Sequence, residues 1–324
     1  MWNVIGQDRT VEALQRSLAA GRLSHALLLT GPARIGKTTL ALELAKAVEC
    51  TGEHPPCQVC VHCRQIQAGS HPDVAVIEAA EGRESIVIEQ VRELRDAAAL
   101  RPFQGRAKVY IIAGAAALTA QAADALLKTL EEPQPQVRLI LTAIDADALP
   151  ATIVSRCRVE ALAPIDASAI AAALGRAGAE EPDAQRIARL ARGSIGWALE
   201  ARARPALIAA QEETIARLAR LWDLDVTKRL RLAETLAADR RDRSATRRHL
   251  ELLVLLARDL LLLACGRPAA VAAAEDLERL RTQAARLGFG RIVAYLERLR
   301  VTMERVDQNV DPRLALEALL LNLP

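Results

Sequence analysis

Gly31-Pro32-Ala33-Arg34-Ile35-Gly36-Lys37-Thr38 stands between an apolar run, Ala26 to Thr30, and a helical pattern, Thr38 to Val48. The octet fits G-x-x-x-x-G-K-[ST] with a strand before it and a helix after it, the context a phosphate-binding loop requires. Its glycines let backbone N–H groups turn toward a phosphate, and the N-terminus of the following helix adds partial positive charge. Gly31, Gly36 and Thr39 are therefore expected in the phosphate cradle. Lys37 is expected at the β- and γ-phosphates, with the Thr38 hydroxyl on Mg²⁺. The cofactor this implies is ATP with Mg²⁺.

On either side of the loop, short apolar runs alternate with helical patterns. The runs are His25 to Thr30, Val74 to Glu78, Lys108 to Ile112 and Val137 to Thr142. Each is rich in Leu, Ile or Val and bounded by Gly, Pro or charge, as buried strands are. Helical patterns cover Val11 to Ala20, Ile86 to Leu100 and Ala120 to Glu131. This alternation predicts an α/β domain whose parallel sheet is covered on both faces. After Pro164 the strand signals stop. Gly193 to Gly196 punctuates a small helical section, Arg204-Pro205 marks a second boundary, and helical periodicity then runs on, including His249 to Leu263 and Phe289 to Val306. The expected domains are 1–163, 164–204 and 205–324.

Binding ATP and cleaving it make different demands. Hydrolysing P-loop proteins hold Mg²⁺ with an acidic residue at the end of a neighbouring strand, and a second carboxylate there polarises water. Here the matching strand, Lys108 to Ile112, runs into Ala113-Gly114-Ala115-Ala116-Ala117. The nearest acid, Asp124, lies inside the next helix and suits a solvated face. The site is expected to hold ATP and barely cleave it.

Four of the six cysteines form Cys50-x6-Cys57-x2-Cys60-x2-Cys63. Four thiolates at this spacing can wrap one tetrahedral Zn²⁺ in a closed, structural site. The ferredoxin run opens similarly, but its fourth cysteine follows three residues later and precedes Pro, whereas Cys63 is followed by Arg64. Disulfides suit an oxidising compartment. His54 or His62 is able to replace one thiolate, and the reading as free buried cysteines suits Cys157 and Cys265 better. A zinc module over about residues 50–69 is the expectation.

Composition narrows the function classes. A formal net charge of +3, from 43 Lys plus Arg against 40 Asp plus Glu, is small for a protein that grips nucleic acid alone. Aromatics at 2% leave little material for base-stacking platforms. No apolar run is long enough to span a membrane, and Met1 to Arg9 lacks a secretory signal's apolar segment. The expectation is a cytoplasmic protein without membrane contact.

Further motifs carry a family resemblance. Ala125-Leu126-Leu127-Lys128-Thr129-Leu130-Glu131-Glu132-Pro133, Ser155-Arg156-Cys157, the opening Val4-Ile5-Gly6-Gln7 and Ser24-His25-Ala26 resemble the AAA+ clamp-loader subunits of bacterial DNA polymerase III, as does the cysteine module after the P-loop helix. The likeness is strong over the first 200 residues and weak over the last third. It implies an AAA+ P-loop domain with a zinc insert, a small helical lid and an all-α collar. It also implies that Arg156 is an arginine finger supplied in trans to a neighbour's ATP site, the alternative being a surface ion pair or a brace within its own domain, and that Thr142 occupies a γ-phosphate sensor position, the alternative being an ordinary strand-end threonine.

The ATP-hydrolysing gamma/tau motor carries Asp-Glu where Ala113 and Gly114 stand, and an arginine within the lid motif that here is Gly193-Ser194-Ile195-Gly196. Both departures favour the delta-prime type over the motor, which is the alternative. A P-loop nucleotide kinase is the third class, disfavoured by the insert and the helical last third. The implied partners are gamma/tau and delta in a hetero-pentamer, the beta sliding clamp, and primer–template DNA through the assembly. Arg92, Arg95 and Arg101 are candidate phosphate-backbone contacts, although a solvated helix face is the commoner role for such residues.

Overall fold

The computed structural model describes residues 2–80, 82–237, 243–267, 277–308 and 310–323. It divides into two compact units, 1–203 and 204–324.

The first unit is built on α1 (Asp8–Ala19), β1 (Ala26–Thr30), α2 (Lys37–Glu49), α3 (Val61–Gln67), β2 (Val74–Ile77), α4 (Ile88–Ala98), β3 (Lys108–Ile112), α5 (Ala120–Glu131), β4 (Val137–Thr142), α6 (Ala151–Val154) and β5 (Arg158–Ala161). The strands form one sheet in the order β2-β3-β4-β1-β5, and every pairing is parallel. β1 and β3 are buried along their whole length, which is why they appear in the sequence as unbroken apolar runs.

Alternate residues face opposite sides of the sheet. Ala26, Leu28, Tyr110, Ile112, Leu139 and Leu141 join Val91 and Leu94 of α4 and Leu126 and Leu130 of α5 in one core. α2 packs on β1, β3 and β4 and brings the buried Leu40 and Leu44. A parallel sheet covered on both faces is thus what forms.

One strand departs from the sequence reading. β5, Arg-Val-Glu-Ala, is largely exposed and pairs from Leu27↔Arg158 to Thr30↔Ala161. An edge strand gains its hydrogen bonds from one neighbour and needs little apolar character, so no apolar run announces it.

After β5 come α7 (Ala167–Arg176), α8 (Glu181–Ala191) and α9 (Ile195–Ala203), which pack on one another. The turn between α8 and α9 is fastened to the segment before α7. Ile165 N–H donates to Gly193 O at 3.2 Å, and Gly193, at φ 90°, sits where a Cβ would stand 2.6 Å from Pro164 Cβ.

The second unit holds α10 (Ala206–Ala219), α11 (Val226–Leu236), α12 (Arg243–Ala264), α13 (Leu277–Asp307) and α14 (Pro312–Leu321). α13 breaks at Gly288, whose φ of 72° and ψ of 161° are not helical. Its core includes Leu253, Leu256 and Leu260 of α12, Leu299 of α13 and Leu316 and Leu320 of α14. Trp222 meets Tyr295 edge-on at 5.7 Å. The apolar runs near the C-terminus are thus core faces, and among the described residues no helix is long and apolar enough to cross a membrane.

Candidate functional site

The phosphate loop leaves β1 at Gly31 and enters α2 through Gly36. Gly31 has φ 139°, and a Cβ there would stand 2.5 Å from Leu162 O. Gly36 caps α2 in the left-handed conformation at φ 102°. Side chains are excluded from the first position by space and disfavoured at the second by backbone conformation, so the cradle fits a phosphate group approached by bare backbone. Lys37 Nζ donates to the carbonyl oxygens of Gly31 and Pro32, each at 2.6 Å. Thr38 and Thr39 stand exposed in the first turn of α2.

Thr142 ends β4 in the buried interior, and its Oγ1 accepts from Gly114 N–H at 2.9 Å. The loop after β3 thereby meets the end of β4 through a backbone amide. Ala113 N–H is engaged by Ile77 O at 2.8 Å, and Gly114 turns left-handed at φ 70°. No carboxylate stands at the end of β3, and Asp124 is exposed on α5.

Residues of α9 reach the loop directly. Gly196 N–H donates to Arg34 O at 2.9 Å. Arg34 Nη2 donates to Gly196 O at 3.3 Å and forms an ion pair with Glu200. No local pattern in the sequence signals this contact, because the partners of Arg34 lie more than 160 residues on.

Arg156 follows α6. Its guanidinium donates to Thr152 O at 2.8 Å and pairs with Glu131 at 2.7 Å, both carboxylate and guanidinium being more than a third exposed. Within the isolated chain it therefore sits in a surface ion pair with the end of α5. Arg92, Arg95 and Arg101 are all exposed, and Arg95 pairs with Asp96 at 3.3 Å.

The four cysteine sulfurs lie within 4.8 Å of one another. A tetrahedral zinc with Zn–S bonds of about 2.3 Å needs sulfur separations of about 3.8 Å, so the quartet fits the metal. Backbone N–H groups of Gly52 and Cys57 point at Cys50 Sγ, each at 3.3 Å, and Cys60 N–H points at Cys57 Sγ at 3.3 Å. Such donors stabilise thiolate. Burial pushes the Cys63 thiol up, to about 12. At Cys60 burial is outweighed by the N–H groups of Cys63 and Thr51, and the thiol falls to about 6. His54 is exposed and His62 turns to His71, so neither joins the quartet.

A second cluster, Glu49, His62 and His71, also lies within 4.8 Å, but its hydrogen bonds give it another role. His71 Nδ1 accepts from Asp73 N–H at 3.1 Å, so the one proton of the neutral ring sits on Nε2 and is shared with His62 Nδ1 at 2.9 Å. That nitrogen has no lone pair to offer a metal. The cluster braces the module against the loop before β3, where Asp73 accepts N–H bonds from Phe103, Gln104 and Gly105 and Glu49 accepts from Arg106 and Ala107. On the module's other side, buried Lys46 pairs with Glu43 at 2.7 Å and donates to Gln58 at 3.1 Å. These staples carry no motif and were not legible in the sequence.

Residues 6–166 match the family described as DNA polymerase III, delta subunit. The chain is 40% identical over 205 residues to DNA polymerase III subunit tau of Escherichia coli strain K12, covering 61% of this chain and 31% of that protein. It is 36% identical over 165 residues to DNA polymerase III subunit delta' of Bacillus subtilis strain 168, covering 51% of this chain and 50% of that protein. The chain thus spans a third to a half of the length of these relatives. A Thermotoga maritima protein related to DNA polymerase III gamma subunit aligns over 96% of this chain and 97% of its own at 20% identity and a TM-score of 0.43, a likeness too loose to argue from.

Proposed function

We propose that this chain, whose residues 6–166 match the family described as DNA polymerase III, delta subunit, and which is 36% identical over 165 residues to a delta' subunit, is the delta-prime-type member of the AAA+ clamp-loader subunits of bacterial DNA polymerase III. On this reading it binds ATP without cleaving it efficiently and completes the ATP site of a neighbouring subunit. The observation that carries this reading is the end of β3. Ala113 and Gly114 stand where hydrolysis needs carboxylates, beside a complete phosphate loop, and the Gly114 amide is tied to Thr142. Identity alone leans toward tau, at 40% against 36% for delta'. The chemistry of those two positions leans the other way, because a P-loop without its acidic partner leaves Mg²⁺ undercoordinated and water without a base.

In the proposed complex Gly31, Gly36 and Thr39 frame the phosphates, Lys37 offsets their charge, Thr38 offers its hydroxyl to Mg²⁺, and Thr142 places a hydroxyl beside the γ-phosphate position. When bound, ATP brings the phosphate charge that these groups meet. Arg156 acts outward: it exchanges Glu131 for the nucleotide of the adjacent motor, where a guanidinium offsets charge building on the transferred phosphoryl group. Partial exposure of the Arg156–Glu131 pair makes that exchange inexpensive.

Cys50, Cys57, Cys60 and Cys63 hold a structural zinc, and residues 164–204 and 205–324 serve as lid and collar. The partners are gamma/tau and delta in a hetero-pentamer, with the beta clamp and primer–template DNA engaged through the assembly, in a cytoplasm that keeps the thiols reduced.

The test is DNA- and clamp-stimulated ATP turnover by the reconstituted loader. Arg156→Ala is expected to lower turnover at the adjacent site about 10³-fold with assembly intact by gel filtration. Unchanged turnover removes the arginine-finger role. Turnover by the isolated chain that Lys37→Ala abolishes would instead make this a motor subunit.

A further inference from the structure

Arg34 is the one non-glycine residue of the phosphate loop with a left-handed backbone, at φ 60°. Side chains resist this conformation, although the nest of a phosphate loop uses it, so contacts from outside the loop add support. These contacts all come from α9 and the turn before it. Gly196 N–H donates to Arg34 O at 2.9 Å, and Ser194 Oγ donates to the same oxygen at 3.4 Å. The Arg34 guanidinium returns to Gly196 O at 3.3 Å and to the Glu200 carboxylate. The approach is as close as a bare backbone allows, since a Cβ on Gly196 would stand 2.9 Å from Arg34 O and 3.1 Å from Arg34 Cβ. Ile35 beneath the loop is buried, so the segment is gripped from two sides.

The consequence lies in the peptide that joins Arg34 to Ile35. It is trans, the only cis bond in the described chain being Pro55-Pro56. In a trans peptide the C=O and N–H point in opposite directions. With the Arg34 carbonyl committed to α9, the Ile35 N–H is turned away from the lid, and backbone N–H groups are what such a loop offers a phosphate. We infer that Gly196 and Glu200 are positioning residues for the phosphate loop. They set the direction of its central amide before any nucleotide arrives, with Arg34 as the handle by which the lid holds the loop. The inference rests on the nucleotide-binding reading of this loop, but its geometry is a property of the free chain.

Two measurements on the full-length, zinc-loaded chain test it, with wild type, Glu200→Gln and Gly196→Ala compared. Amide hydrogen exchange over residues 31–37 without nucleotide is expected to quicken about threefold in Glu200→Gln, which loses a half-exposed ion pair. In Gly196→Ala, where the backbone bond is broken as well, it should quicken tenfold or more. Titration with a fluorescent ADP analogue and Mg²⁺ is expected to show affinity falling in the same order. Glu200→Gln is a surface change that leaves the fold alone, so a folding failure of Gly196→Ala does not end the test. Loop exchange identical to wild type in Glu200→Gln, and in Gly196→Ala where that variant folds, overturns the inference. Failure of the wild type to bind the ADP analogue would sink the nucleotide reading instead, while the exchange data still decide whether the lid holds the loop.

Discussion

Two glycines at and near the phosphate loop separate conformational demand from spatial demand. Gly31 combines φ 139° with a wall, Leu162 O standing 2.5 Å from where a Cβ would be, whereas Gly114 has φ 70° and open space around it. Gly114→Ala should cost about 1 kcal/mol, the strain of a left-handed residue alone. Gly31→Ala adds a clash with backbone of β5's trailing segment and should cost about 3 kcal/mol or more. Urea unfolding of the two variants checks the ordering; equal losses would mean that Leu162 yields. The P-loop motif announces the first of these glycines in the sequence. The second lies in a run of small residues that reads only as an absence of acids, and its bond to Thr142 needed the folded sheet to be seen.

Among the elements, the loop before β3 and the cysteine module are held by buried charge. Asp73 accepts three consecutive N–H bonds, from Phe103, Gln104 and Gly105 at 2.7 to 2.9 Å. Burial alone would raise its carboxyl, but these three donors and Lys108 outweigh it and hold Asp73 below the ordinary value of 3.8. A depressed folded value means the ionised form is favoured by folding. Its contribution is therefore full above about pH 4 and is lost as pH falls through the folded value. Asp73→Ala should cost about 3 kcal/mol at neutral pH, by orphaning the three amides. The gap from wild type should narrow in acid, as pH falls through the folded value and Asp73 becomes protonated in both states. Urea midpoints at neutral pH and in acid test this; a gap that stays constant would mean the carboxylate's charge is irrelevant.

The module makes a second demand. Purified chain should carry about one zinc, and Cys60→Ser should lose it, because a closed four-ligand site does not tolerate three. Metal analysis and thermal melting report the outcome, with a lower midpoint expected since α3 and the buried Lys46–Glu43 pair of α2 share the module. Full zinc content in Cys60→Ser would show that the quartet is not the ligand set.

At the scale of the whole molecule, the division into units at 203/204 bears on where binding and assembly reside. Phosphate loop, cysteine quartet, Arg156 and the Arg34–α9 contact all fall in the first unit. If the delta-prime reading holds, a fragment of residues 1–203 is expected to bind zinc and nucleotide as the whole chain does while failing to join gamma/tau and delta on gel filtration. Stable entry of that fragment into the complex would move the assembly surface into the first unit.

What the sequence determined by itself is whatever local pattern can carry. The buried central strands show as apolar runs, because both faces of a parallel sheet are covered. The phosphate loop and the cysteine quartet show as spacings, because their chemistry needs fixed residue types a few positions apart. Tertiary structure alone decided β5, a polar edge strand whose bonds come from β1, and the partners of Arg34, Arg156, Asp73 and Glu49. Those pairs join groups 25 to 166 residues apart. A charge or amide leaves no periodicity in its own neighbourhood to say which distant group it meets, so such contacts exist only once the sheet has ordered its strands and brought the two ends together.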